Sequence, residues 1–303
     1  MTAGVRRGTA AVAALRSRVD PRRRLLRDAL RIASFAVVAF VWWLLTFNDY
    51  QHDARAYWAA DLADLYRRGE VGGVDAYLYS PAFAQLLVPL TWLPWAAFAG
   101  VWAALNLTAL VWMAGFPIAA LLLVVPGSPV IDELGTGNIH LLIAAAIVLS
   151  FRYPAAWALP LLTKVTPGVG VLWFAGAGRW RAFVLAVGAT AAMSLASFLL
   201  APQLWFDWFE VLTANVDRPI PTEIAIIPGS LALRTAAGAI VALIGGWRGW
   251  RWAAPVAATL ALPVPWSSGL SVLVAVIALY RPGLPALLAR VTRRALPVAD
   301  GPA

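Results

Sequence analysis

From Pro81 to Val125 the chain runs for 45 residues without a charged side chain. A helix rises 1.5 Å per residue, so about 20 apolar residues cross the roughly 30 Å hydrocarbon layer of a bilayer. The segment is long enough for two crossings. Apolar residues make up 61% of the 303 residues and charged residues only 13%, against about 45–50% and about 25% in soluble domains. That composition excludes a soluble globular protein. The net charge of +9 does not imply a nucleic-acid partner, because the arginines sit at the edges of apolar runs rather than on one basic face. Sixteen Trp and seven Tyr suit a protein with two membrane–water interfaces. Cysteine is absent, which removes disulfides, thiol nucleophiles and cysteine metal ligands. The expected class is an all-α polytopic membrane protein.

Nine arginines precede the first apolar run, Ile32 to Phe47. No small-x-small cleavage site follows Phe47, so we read an uncleaved first span behind a cytoplasmic segment, residues 1–31. Residues 48–80 form a large first extracytoplasmic loop, with Ala54 to Arg68 as an interfacial helix by its spacing. A turn is expected near Leu93-Pro94-Trp95 and a kink at Pro117. Residues 126–138 read as a Pro/Gly-rich loop, Ala182 to Ala201 as a span, and 202–229 as a second extracytoplasmic loop. A single transmembrane domain then covers 32–281, with about ten helices (range 8–11), several short or broken, and 282–303 form a cytoplasmic tail. With ten crossings and the N-terminus inside, 18 of 24 basic residues fall inside and 12 of 15 acidic residues outside. The expected location is the cell membrane, multi-pass, with both termini cytoplasmic.

Polar groups are scarce, so their positions carry information. The single lysine, Lys164, stands in Thr163-Lys164-Val165-Thr166-Pro167 between apolar pieces, in a chain that otherwise uses 23 arginines. An ionisable side chain in the membrane region marks a functional site unless it snorkels to the interface, and a compact ammonium suits a phosphate. Asp53 stands just beyond the first span, beside Asp49, His52 and Arg55, where a general base would lie at the mouth of a cavity. Asn138 caps a helix or binds substrate. His140 is a satisfied polar residue near that helix start or a substrate ligand. Asp132 and Glu133 are a weak metal pair, and no metal or cofactor is expected. There is no P-loop or Rossmann glycine fingerprint.

Taken together, these segments resemble glycosyltransferase family 87, also catalogued as domain of unknown function 2029. Asp53-Ala-Arg-Ala-Tyr57 resembles the family's Asp-x-x-x-Tyr segment after the first span. Tyr79-Ser80-Pro81-Ala82-Phe83 is similar to its Tyr-Pro-Pro-Phe, with Ser80 in place of a proline. Gly137-Asn138-Ile139-His140 resembles Gly-Gln-x-Asn with both polar positions changed. Lys164-Val165-Thr166-Pro167 is similar to Lys-Leu-Thr-Pro, and Gly229-Ser230-Leu231 with Arg234 is weakly similar to Asn-Gln-Ser-Leu…Arg. The resemblance implies a GT-C fold and an inverting transfer, mannosyltransferase-like, from a polyprenyl-phosphate sugar to an extracytoplasmic glycolipid or glycan acceptor. It makes Asp53 the base. Lys164 and Arg234 would then hold the donor phosphate, and His52, Tyr57, Tyr79, Asn138 and His140 would bind substrate. The competing readings are a transporter or flippase, or a non-catalytic binder, of lipid-linked sugars. No internal repeat supports transport, and no nucleic-acid partner is expected beside the membrane lipids.

Overall fold

The structure is a computed structural model that describes residues 21–67, 76–216 and 226–280. Arg6, Arg7, Arg16, Arg18, Glu70, Asp75 and the tail arginines lie outside the described residues. Every regular element described is helical. The first half holds α1 (Pro21–Phe47), α2 (His52–Trp58), α3 (Pro81–Thr91), α4 (Trp95–Ala114), α5 (Phe116–Val124), α6 (Pro129–Thr136) and α7 (His140–Ser150). The second half holds α8 (Ala158–Thr163), α9 (Leu172–Gly176), α10 (Trp180–Leu200), α11 (Pro202–Val216), α12 (Leu231–Trp247), α13 (Ala253–Leu260) and α14 (Val274–Tyr280). Turns of 3-10 helix cover Pro154–Trp157, Thr166–Val171 and Ser267–Leu273.

Among the described residues α1, α4 and α10 are each long and apolar enough to cross a membrane. Their burial separates them. Only 17% of the apolar stretch of α1 and 11% of that of α10 is buried, against 56% for α4. A helix that is apolar all round yet exposed needs an apolar solvent, so α1 and α10 are lipid-facing walls and α4 is a central helix. The remaining apolar helices are shorter, and α5 and α6 bend by 83° across their break. The ten expected crossings therefore require short or paired helices as well as these three.

Four local expectations are corrected. Pro117 does not kink a span. The chain breaks at Gly115, with φ of 79°, and Pro117 occupies the first turn of α5, where a missing N–H is harmless. The loop expected over 126–138 contains α6, because the Ser128 hydroxyl accepts the Val130 N–H and Pro129 starts the helix. The helix expected from Ala54 to Arg68 stops at Trp58. Beyond it the Asp61 carboxylate accepts the Ala63 N–H, a local bond that competes with helix. The loop expected over 202–229 begins as α11. Trp205 donates to Ser197 Oγ and Trp208 to the Leu78 carbonyl, which hold that helix against the protein. The expected turn at Leu93-Pro94-Trp95 is present between α3 and α4.

Two large apolar clusters form most of the core. One gathers Tyr57, Phe83, Phe98, Trp102, Ile143 and Trp157, the other Leu110, Met113, Leu141 and Val274. Helix α7 contributes to both and is buried around nearly its whole circumference. Its N-terminus meets the start of α2 through one tight contact. Gln51 adopts φ of 67°, the only non-glycine positive φ described, at about 1–2 kcal/mol of strain. Its buried amide donates to the Leu45 and Ala99 carbonyls, and its N–H donates to Gly135 O. Opposite stands Gly137, φ 70°, where an added Cβ would fall 2.7 Å from Gln51 Cβ and 2.8 Å from Ala54 Cβ. Gly137→Ala should therefore lower stability by about 1–3 kcal/mol through overpacking and strain. Thermal unfolding in detergent checks this, and an unchanged midpoint would mean that the two segments do not meet so closely.

Candidate active site

The Gln51–Gly137 contact fixes the residues on either side of it. Asp53 lies in the first turn of α2, and Asn138 follows Gly137. Across 85 residues of sequence, Asn138 Nδ2 donates to Asp53 Oδ2 at 2.5 Å. The Asn138 carbonyl accepts the Ile139 N–H at 2.8 Å and faces the Tyr79 hydroxyl at 3.5 Å. These partners orient the amide with its nitrogen towards Asp53. Tyr57, fully buried, donates to the Tyr79 hydroxyl at 2.8 Å. Burial pushes both phenols above their usual range, with Asp53 among the charges adding to the effect. Both stay protonated, as donors in a chain that ends on a carboxylate. The Asp53 side chain is 35% exposed, so the carboxylate is reachable from outside the cluster.

Lys164 ends α8 in extended conformation. It does not snorkel outwards. Its ammonium meets His140 Nε2 at 2.9 Å and stands 5.7 Å from the centre of the Tyr79 ring. An ammonium has three N–H donors, and His140 takes one. His140 is fully buried, and its Nδ1 lies 2.7 Å from Glu133 Oε2. Glu133, also fully buried, accepts the His140 and Leu141 backbone N–H groups with Oε1. The carboxylate thus satisfies the first donors of α7, the capping role that the sequence suggested for Asn138.

Two carboxylates, an amide, two phenols, an ammonium and an imidazole form one connected cluster: Asp53, Asn138, Tyr79 with Tyr57, Lys164, His140 and Glu133. His52 stays at the rim, 72% exposed, with Nε2 3.6 Å from Asp53 Oδ1. Arg55 pairs with Asp49 and covers the Trp95 ring. Arg234 does not join the cluster. Four of its five N–H donors go to the carbonyls of Gly229, Leu260, Leu262 and Pro263, so its geometry ties a loop to α12. Asp132 and Glu133 point apart, Asp132 accepting from Ser267 at the surface. Among the described residues no group of His, Asp and Glu is arranged around a metal position.

Sequence reasoning offered Glu133 only as half of a weak metal pair and missed its place in this cluster. Its signal was available: between residues 76 and 206 the only acids are Asp132 and Glu133, and an acid kept within so apolar a stretch needs a reason.

A family model of glycosyltransferase family 87 matches residues 77–296, most of the chain. The chain belongs to that family, and it is a membrane glycosyltransferase with a sugar donor and an acceptor. The match includes Tyr79, Glu133, Asn138, His140 and Lys164, and begins after Asp53. No curated protein and no solved structure matches the chain.

The Arg234 geometry makes a prediction. Arg234→Leu leaves four carbonyls without their donor, that of Leu262 in a buried bond, at about 1–3 kcal/mol each where they stay dry. The unfolding midpoint should fall, while the affinity of the remaining folded protein for polyprenyl phosphate stays within about twofold, a difference of roughly 0.4 kcal/mol. A large loss of that affinity at unchanged stability would instead make Arg234 a phosphate ligand.

Proposed function

We propose that the protein is a GT-C-type inverting glycosyltransferase that moves a hexose, mannose in our reading, from a polyprenyl-phosphate sugar to an extracytoplasmic glycolipid or glycan. The observation that carries this reading is the pairing of an accessible carboxylate with an inward-turned ammonium in one cluster, linked through Asn138 and Tyr79. A lipid-phosphate donor needs a cation for its phosphate and a base for the acceptor hydroxyl. Lys164 keeps two N–H donors beyond the one that His140 takes. Asp53 has one oxygen fixed by Asn138 and the other beside the exposed His52 ring at the rim.

In the step that follows, the acceptor oxygen attacks the anomeric carbon from the face opposite the phosphate. The carbon–oxygen bond to phosphate breaks, and its electron pair leaves on the polyprenyl phosphate. The acceptor proton passes to Asp53 Oδ1. Lys164 offsets the charge that builds on the departing phosphate. Tyr57, Tyr79 and Asn138 hold the carboxylate in place, a matter of orientation rather than of charge.

Transfer from polyprenyl-phosphate mannose in nanodiscs tests the roles together. Asp53→Asn should lower the rate by about 10²–10⁴-fold while binding of polyprenyl phosphate persists. Lys164→Ala should weaken that binding by about 10–100-fold, the worth of a charged hydrogen bond, and Lys164→Arg should restore part of it. Asp61→Asn should be silent. Equal rates for wild type and Asp53→Asn would refute the base, and wild-type binding by Lys164→Ala would refute the phosphate cation.

The positive-inside partition supports an extracytoplasmic site. Because the chain has no cysteine, single substitutions report sidedness cleanly. Asp61→Cys should react with a membrane-impermeant maleimide in intact cells, and Arg179→Cys only after lysis. The reverse pattern would invert the topology.

A further inference from the structure

A carboxylate that caps a helix needs no imidazole beside it. Glu133 nonetheless has both: Oε1 accepts the first N–H groups of α7, and Oε2 faces His140 Nδ1 at 2.7 Å. The far nitrogen of the same ring faces Lys164 Nζ at 2.9 Å. The three groups therefore form a directional chain. An ionised carboxylate is acceptor-only, so Nδ1 carries the ring proton, Nε2 presents a lone pair, and the ammonium donates to it. Protonating the ring would put a second donor against the ammonium. Neither Glu133 nor His140 has any exposed surface, so neither touches substrate in this structure.

We propose that Glu133 and His140 are positioning residues that aim the Lys164 ammonium at the donor phosphate, Glu133 by fixing the His140 tautomer and His140 by accepting one ammonium proton. This rests on the reading of Lys164 as the phosphate cation. The arrangement parallels metal sites, where a carboxylate fixes the tautomer of a ligating histidine and its loss lowers affinity by about 10–100-fold. In Glu133→Gln the amide oxygen still caps α7, but the amide NH2 faces Nδ1. The ring then protonates on Nε2 and turns a donor towards the ammonium. In His140→Gln the side-chain amide offers an N–H to Glu133 and a carbonyl to Lys164, so the polarity of the chain survives. His140→Leu ends it.

Two measurements on the full chain in nanodiscs decide the matter: binding of polyprenyl phosphate, and nitrogen NMR of histidine-labelled protein. With only two histidines in the chain, the His140 signal is assigned by its loss in His140→Gln. Wild type should show His140 in the Nδ1–H form, and Glu133→Gln in the Nε2–H form with affinity about 10–100-fold lower. His140→Gln should keep affinity within about threefold, roughly 0.7 kcal/mol, and His140→Leu should not. A helix cap alone would leave the tautomer and the split between Gln and Leu unmoved. Lys164→Ala separates the two levels of the argument. If it binds like wild type, the phosphate reading falls and this inference with it. If it binds weakly while Glu133→Gln binds normally, only the positioning role is overturned. Should Glu133→Gln not fold, the wild-type tautomer and the His140 pair still decide: an Nε2–H ring in wild type, or equal binding by His140→Gln and His140→Leu, refutes it.

Discussion

Burying the Glu133 carboxylate is the constraint on which the centre of this protein depends. An isolated ionised group in an apolar interior is destabilising by many kcal/mol unless hydrogen bonds and opposite charge compensate it. Here the first N–H groups of α7 and the His140 ring supply the bonds, and the positive end of the helix supplies part of the charge. Lys164, one residue further along the chain of contacts, supplies the rest. Helix α7 can be apolar over nearly all its surface because its one costly end is closed by a side chain from α6.

The second arm of the site rests on backbone rather than charge. Gln51 is held in a left-handed conformation by a buried amide, and Gly137 leaves room for it. That contact sets Asp53 beside Asn138 and leaves its carboxylate partly exposed. The two arms meet at Tyr79, which touches Asn138 by its hydroxyl and Lys164 by its ring. In the proposed reaction a base and a cation must stand close without pairing, because a direct ion pair would neutralise both. The intervening phenol and amide keep Asp53 and Lys164 connected but separate.

The membrane class was legible in the chain because a bilayer demands long uncharged segments, and nothing else explains residues 81–125. Lys164 and Asp53 stood out because ionisable groups next to apolar spans are few. Local endings were legible where a residue acts on its own neighbours, as at Leu93-Pro94-Trp95. They were missed at α2, which ends early where Asp61 bonds the Ala63 N–H, and at α11, whose tryptophans bond to Ser197 and Leu78. Arg234 resembles a family arginine in the sequence, while in the structure four of its five N–H donors go to carbonyls, contacts that no motif displays.

The sequence by itself determined that this chain lives in a bilayer, where its arginines collect, and which few polar residues merit attention, since composition and spacing answer directly to the solvent. Only the tertiary structure decided how those residues work together. Glu133 looked like half of a weak metal pair, and its contact with His140 depends on the turn at Gly137 that carries His140 back onto it. Asp53 and Asn138 are 85 residues apart, and their bond exists only because α2 packs on the loop before α7. Partners chosen across such distances leave no periodic trace in the chain, because packing selects them by shape and not by spacing.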